Sequence, residues 1–295
     1  MSLVFYWLGI LLAISSGISN NYGTVLQKKV VNRFKDDSKF MRTIVKKPLW
    51  LIGLILQTII GGLLYFVAQF FIGPTLIPGL MGAGLIVLAI GSVKIVGEQL
   101  ESLEIVGIFL MVIAIAFIGL SNMAINVEAQ NFLEWELLLR IIVFTIVLFT
   151  LAGIFYLLQI KGINKGISLA ICSGFMFALS NFWISPLMGV LSHVFGGSAL
   201  LTEILIFIFS LIVLAFTNIF GITTIQKSFR VGQASNLIPI QQIPIQIAPP
   251  FYFLVVYFLP IPGVLSLIFL IIGIGFVIVS SFLLGKRQTQ IESIK

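Results

Sequence analysis

The sequence has one cysteine, Cys172, one histidine, His193, and few charges of either sign: only 9% of its 295 residues are Asp, Glu, Lys or Arg. A lone cysteine excludes an internal disulfide framework, and with a single histidine beside it there is no Cys/His zinc site. One histidine leaves a Ser-His mechanism a single candidate base, and neither HExxH nor GxSxG occurs, so neither enzyme chemistry nor a resident cofactor is expected. The opening Met1-Ser2-Leu3-Val4 has no basic stretch and no A-x-A pattern follows, so the first apolar run reads as a retained helix rather than a signal peptide. A soluble domain carries about 25% charged residues. A chain with so few cannot cover a water-facing surface.

What is abundant is apolar: 59% of the residues are hydrophobic, and they fall in long uncharged runs. About 20 apolar residues are needed to cross the hydrocarbon of a bilayer as a helix, so the runs convert into spans. Residues 2–27 make the first, 48–93 make two divided at Gly73-Pro74, and 105–123 make the fourth. A polar connector with Glu128, Glu134 and Glu136 follows. Residues 141–160, 166–191 and 200–225 supply the next three, and 231–285 supply two more, broken at Pro260-Ile261-Pro262-Gly263. The fold class expected is therefore all-α, a polytopic transmembrane helical bundle of about nine spans. Its parts are residues 1–122 (four spans), an external connector 123–137, residues 138–285 (five spans) and a cytoplasmic tail 286–295.

The net charge of +7 bears on orientation rather than on nucleic acid, because the basic residues lie between the apolar runs. Lys28, Lys29, Arg33, Lys35, Lys39, Arg42, Lys46 and Lys47 share one loop, and Lys161, Lys165, Lys227, Arg230, Lys286 and Arg287 fall on the same side, with Arg140 the main exception. The positive-inside rule makes that side cytoplasmic, which puts the N-terminus outside and the C-terminus inside.

Two short segments recur. Thr75-Leu76-Ile77-Pro78 returns as Asn236-Leu237-Ile238-Pro239, and Ile113-Ala114-Ile115-Ala116-Phe117 returns as Ile272-Gly273-Ile274-Gly275-Phe276. With nine spans the matched helices run in opposite directions, which is an inverted repeat, and such repeats hold solute near the midplane where the halves meet.

Neutral polar residues inside spans mark the candidate site. Asn20 and Asn21 lie in the inner half of the first span among Ser15, Ser16, Ser19 and Tyr22. Gln57, Tyr65 and Gln69 lie near one face of the second, Asn181 and Asn218 are in the sixth and seventh, and Asn236, Gln241, Gln242 and Gln246 alternate with Pro239, Pro244, Pro249 and Pro250 in the eighth. A proline removes a donor and frees a carbonyl, which a membrane accepts only beside protein or a watery cavity, so a broken eighth helix is expected. Each of these side chains also has a plain role as an interhelical hydrogen bond, worth about 0.6–2 kcal/mol. Glu203 is the one carboxylate inside a span, near its outer end; a metal ligand or a selectivity residue at the mouth is one role for it, an interface residue the other.

Three stretches resemble the drug/metabolite transporter (EamA-like) superfamily, and within it the NIPA-type magnesium transporters. Ile95-Val96-Gly97-Glu98 is similar to the Leu-Gly-Glu that closes the fourth superfamily helix, which makes Glu98 a family-motif residue. Lys47-Pro48-Leu49-Trp50-Leu51-Ile52-Gly53-Leu54 is similar to the start of a NIPA-type span, and Ile14-Ser15-Ser16 with the later Lys28-Lys29 to that family's first helix. The resemblance covers nearly the whole chain and implies a nine-helix variant of the usual ten, with the absent helix between the first span and Pro48. It implies transport of Mg2+ or another divalent cation by alternating access. The cavity chemistry points instead to a small neutral or organic solute, because Mg2+ sites usually include carboxylates; a non-transporting membrane scaffold is the third reading. The partners expected are the lipid bilayer and a small solute or Mg2+, with no nucleic acid, and a homodimer is compatible with the fold.

Overall fold

In the computed structural model the described residues are 3–31, 46–91, 94, 102–127, 129–229, 231 and 234–292; Glu98 and the side chain of Asn236 lie outside the description. Among these residues every regular element is a helix. They form α1 (Leu3–Val31), α2 (Pro48–Ile72), α3 (Ile77–Leu80 continuing as Ala83–Gly91), α4 (Ser102–Leu120) and α5 (Trp135–Ile160), followed by α6 (Lys165–Phe195), α7 (Leu201–Phe229), α8 (Ala234–Phe251) and α9 (Val264–Glu292). Six are long and apolar enough to cross a membrane alone, and α3, α4 and α8 contain shorter apolar stretches. The protein is a polytopic helical bundle.

The breaks follow local chemistry. Pro48 opens α2 at its first turn, where its missing N–H costs nothing. Gly73, at φ 67°, closes α2, and the backbone there runs so close to Ile125 that a Cβ would lie 2.6 Å from its carbonyl. Gly162 at φ 82° and Gly197 at φ 73° play the same part after α5 and α6.

Two features differ from the sequence reading. α2 contains a π-helical turn at Ile55–Ile60, where the Leu56 carbonyl accepts from the Gly61 N–H and from Ser19 Oγ at 2.8 Å. α8, expected to break at its prolines, stays helical across Pro239, Pro244, Pro249 and Pro250 and relaxes only in a π turn at Tyr252–Val256. Each proline deletes one donor, and the remaining ladder holds where neighbouring helices enclose the bend.

Helix α6 is the central post: 72% of its most apolar stretch is buried, against 22% for α2, α5 and α7. It packs on α5, α7 and α8, while α1 packs on α2 and α3, and α4 lies along α9. The contacts of α1 and α6 match in kind. Ser16 Oγ donates to the Gly61 carbonyl of α2 at 2.8 Å, and Ser173 Oγ donates to the Gly221 carbonyl of α7 at 2.7 Å. One residue further on, Gly17 abuts the Met81 backbone of α3, and Gly174 abuts the Gln241 carbonyl of α8. Ile14-Ser15-Ser16-Gly17 thus packs as Ile171-Cys172-Ser173-Gly174 does. The match pairs α1 with α6 rather than with α5. Cys172 is buried beneath α5, whereas Ser15 at the matching place is exposed.

Because a Cβ at Gly17 or Gly174 would collide with backbone rather than with a flexible side chain, Gly17→Leu and Gly174→Leu are expected to destabilise the bundle by about 1–3 kcal/mol or more. Gly62→Leu, where nothing lies within 4 Å, is expected to be tolerated. Thermal unfolding of the purified variants in detergent reads the difference; equal losses at all three positions would refute the close-packing account.

Candidate functional site

The buried positions in the second half of α2 are Gly61, Tyr65, Ala68, Gln69 and Ile72, a stripe at helical spacing that turns the polar Tyr65 and Gln69 inward. Opposite them α6 places Asn181 and Ser185 one turn apart, beside the internal Pro186. Gln69 Nε2 donates to the Asn181 carbonyl at 3.1 Å and to Ser185 Oγ at 2.9 Å. The end of α8 closes the group. Tyr252 donates to the Ala178 carbonyl at 2.7 Å and stacks near Phe182, ring centroids 4.9 Å apart, within electrostatic reach of Tyr65 and Tyr257. The Tyr257 hydroxyl approaches Ser185 without reaching hydrogen-bond geometry. Gln246 Nε2 crosses to the Pro78 carbonyl of α3 at 3.0 Å.

Around this junction of α2, α3, α6 and α8, five buried side-chain oxygens have no hydrogen-bond partner among the described residues: Tyr65 OH, Gln69 Oε1, Thr75 Oγ1, Gln246 Oε1 and Tyr257 OH. A buried polar atom left unpaired costs about 1–3 kcal/mol, more in hydrocarbon than in a wet site. Tyr65, Gln69 and Gln246 lie on helices, Thr75 in the turn before α3 and Tyr257 just past the π turn that follows α8. The chemistry is neutral throughout, amide and hydroxyl oxygens, and among the described residues no three His, Cys, Asp or Glu side chains come together to hold a metal directly.

The sequence candidates divide among three places. Tyr65, Gln69 and the Asn181 backbone belong to this junction. Asn20, Asn21 and Gln57 lie instead on the packing of α1 with α2 and α3: Asn21 Nδ2 donates to the Gly17 carbonyl at 3.1 Å, and Gly23 abuts the Gln57 backbone. Gln57 and Gln69 meet different helices, Gln57 the α1 backbone at Gly23 and Gln69 the Asn181 carbonyl of α6. Asn218 donates to Ser180 Oγ at 2.6 Å and Gln241 to Ser173 Oγ at 2.8 Å, both holding α6 to its neighbours. Gln242 is half-buried on α8. Thr75, Ser185, Tyr252 and Tyr257 escaped sequence reasoning; Ser185, four residues from Asn181 on one apolar helix, carried the readable signal.

Both carboxylate oxygens of Glu203 are engaged. Oε1 lies 2.6 Å from His193 Nδ1, and Oε2 accepts the Leu200 N–H at 2.8 Å, the backward bond of a capping box at the start of α7. Glu203→Gln, which still offers an oxygen to Leu200, is expected to keep the thermal midpoint close to that of the unaltered protein, while Glu203→Leu lowers it, with transport per folded molecule unchanged in both. A loss of transport in Glu203→Gln at unchanged stability would return Glu203 to the solute path.

The family described as Magnesium transporter NIPA matches residues 4–288. No curated protein and no solved structure matches the chain. The match runs from the first turn of α1 to the last turns of α9, so the chain belongs to the NIPA magnesium transporter family, within the drug/metabolite transporter-like superfamily, and is a membrane transporter.

Proposed function

We propose that the protein carries Mg2+ across the bilayer by alternating access, and that the junction of α2, α3, α6 and α8 is where the ion is held. The observation that carries the site assignment is the group of five unpartnered oxygens. Mg2+ gives up its water reluctantly and binds directly through carboxylates. A site of amides and hydroxyls suits an ion that keeps its water shell, each oxygen accepting from or donating to a bound water. In this reading the chain divides into inverted repeat halves, 1–122 and 138–285, joined by the external connector 123–137. Among the described residues three side chains tie the halves by hydrogen bonds: Gln69 to Asn181 and Ser185, Gln246 to Pro78, and Ser280 Oγ to the Gly107 carbonyl at 2.6 Å. Rocking one half against the other would break the first two before the third, because α4 and α9 share the longer packing. The same neutral lining favours a small uncharged solute as the second reading.

Tyr65 and Tyr257 offer the cleanest test, because their hydroxyls make no hydrogen bond among the described residues. Tyr65→Phe and Tyr257→Phe are expected to leave thermal stability unchanged or raise it by about 1 kcal/mol, since an unpaired buried group is removed. Mg2+ flux into proteoliposomes is expected to fall about tenfold, the effect of losing ~1.4 kcal/mol of solute stabilisation. Normal flux in both variants would sink the site assignment. Flux of a neutral metabolite, with none of Mg2+, would select the second reading.

The orientation is tested on a Cys172→Ala background. Ser198→Cys, in the exposed turn after α6, is expected to react with an impermeant maleimide from outside, and Lys161→Cys, after α5, only once the membrane is opened. The opposite pattern would invert the topology.

A further inference from the structure

A cavity of about 470 Å³ lies between α5, α6 and α8, and the ring of Phe144 in its lining packs on Tyr252 at the edge of the polar junction. Leu148, Phe155, Ile171 and Phe175 form its walls, Pro244 and Ala248 its floor, and every residue lining it is apolar. Val147, Ile247 and Phe251 stand at its rim, 47%, 45% and 49% exposed, on apolar helix stretches at membrane depth. The cavity thus opens sideways toward the hydrocarbon. Water would find no hydrogen bond inside, and a hydrated ion would lose its shell without replacement. The volume is roughly three times the ~150 Å³ that admits a benzene ring and falls within the ordinary range for ligand pockets. An unfilled apolar space forfeits dispersion contacts along its whole lining, so a long, slender apolar chain is the occupant that restores them.

We propose that this cavity binds one lipid acyl chain. The floor gives that chain a structural partner: Pro244 lies against Gly174 on α6, three residues from Gln241, whose amide donates to Ser173. An acyl chain seated there braces the proline-rich stretch of α8 against α6 from the bilayer side. The inference is independent of which solute is transported.

The full chain is reconstituted in phosphatidylcholine vesicles containing phosphatidylcholine with a diazirine in one acyl chain, irradiated, and mapped by mass spectrometry. Labelling at Phe155 and Phe175 is expected to exceed that at Ile212 and Ile219, exposed positions on α7, by about fivefold, because only the cavity surrounds the chain on several sides. Labelling no higher than on α7 overturns the proposal, and the unaltered protein alone decides this. Leu151→Trp, in the wall, and Val147→Trp, at the rim, are expected to abolish the excess, and Phe216→Trp on α7 to leave it intact. An excess that survives both cavity variants also overturns the proposal. A parallel arm with a diazirine fatty acid in unlabelled vesicles identifies the source: labelling by the phospholipid probe assigns a bilayer lipid, labelling by the fatty acid alone assigns a free acyl chain, and labelling by neither probe refutes the site.

Discussion

At membrane depth there is no water to satisfy a polar group, so every donor and acceptor must find its partner inside the bundle. Helix α6 exists under the tightest form of that rule, enclosed on three sides and carrying Ser168, Ser173, Ser180 and Ser185 among its buried residues. Its solution is to pair hydroxyls with neighbouring backbone or side chains. Ser173 reaches a helical carbonyl of α7 and in turn receives Gln241, while Ser180 receives Asn218. Glycine makes this geometry reachable. A serine hydroxyl is short, and it meets a carbonyl on the next helix only if the two backbones approach closely, which Gly61 and Gly221 permit.

Against that background the central junction is an exception on the same scale as the rule. Most buried hydroxyls elsewhere in the bundle are spoken for; here five oxygens are not. Under the proposed function, a transported species would complete the set during part of the cycle. The site lies where α2 and α3 meet α6 and α8, so its two sides belong to elements that can move apart.

The spans were legible because their signals are local. Gly73-Pro74 and the Pro260 to Gly263 stretch separate helices where the sequence places the breaks. The likeness of α1 and α6 was not legible: Ile14-Ser15-Ser16-Gly17 and Ile171-Cys172-Ser173-Gly174 share a role that appears only when both serines are seen on glycine carbonyls. The junction was least legible. Tyr65 and Gln69 could be taken from their spacing, yet Thr75, Ser185 and Tyr257 are single polar residues in apolar runs. What unites them is the crossing of distant helices. Gln241 bonds Ser173 of α6 and Asn21 the Gly17 carbonyl of its own helix, and an amide in a span looks alike in sequence whatever it bonds.

The π turn at Ile55–Ile60 acts on the rest of α2 as a spacer acts on a screw thread. It holds one residue more than an α-helix would use for the same advance. Everything beyond it, Tyr65 and Gln69 included, is rotated by about 100° relative to an uninterrupted helix starting at Pro48. Loss of a single residue from that turn would leave the apolar length of α2 ample for the bilayer and its composition unchanged. Gln69 would nevertheless swing off Asn181, and the lipid-facing side of α2 would take its place at the junction. The length of the chain in this segment, and not only the identity of its residues, therefore sets which side of α2 meets α6.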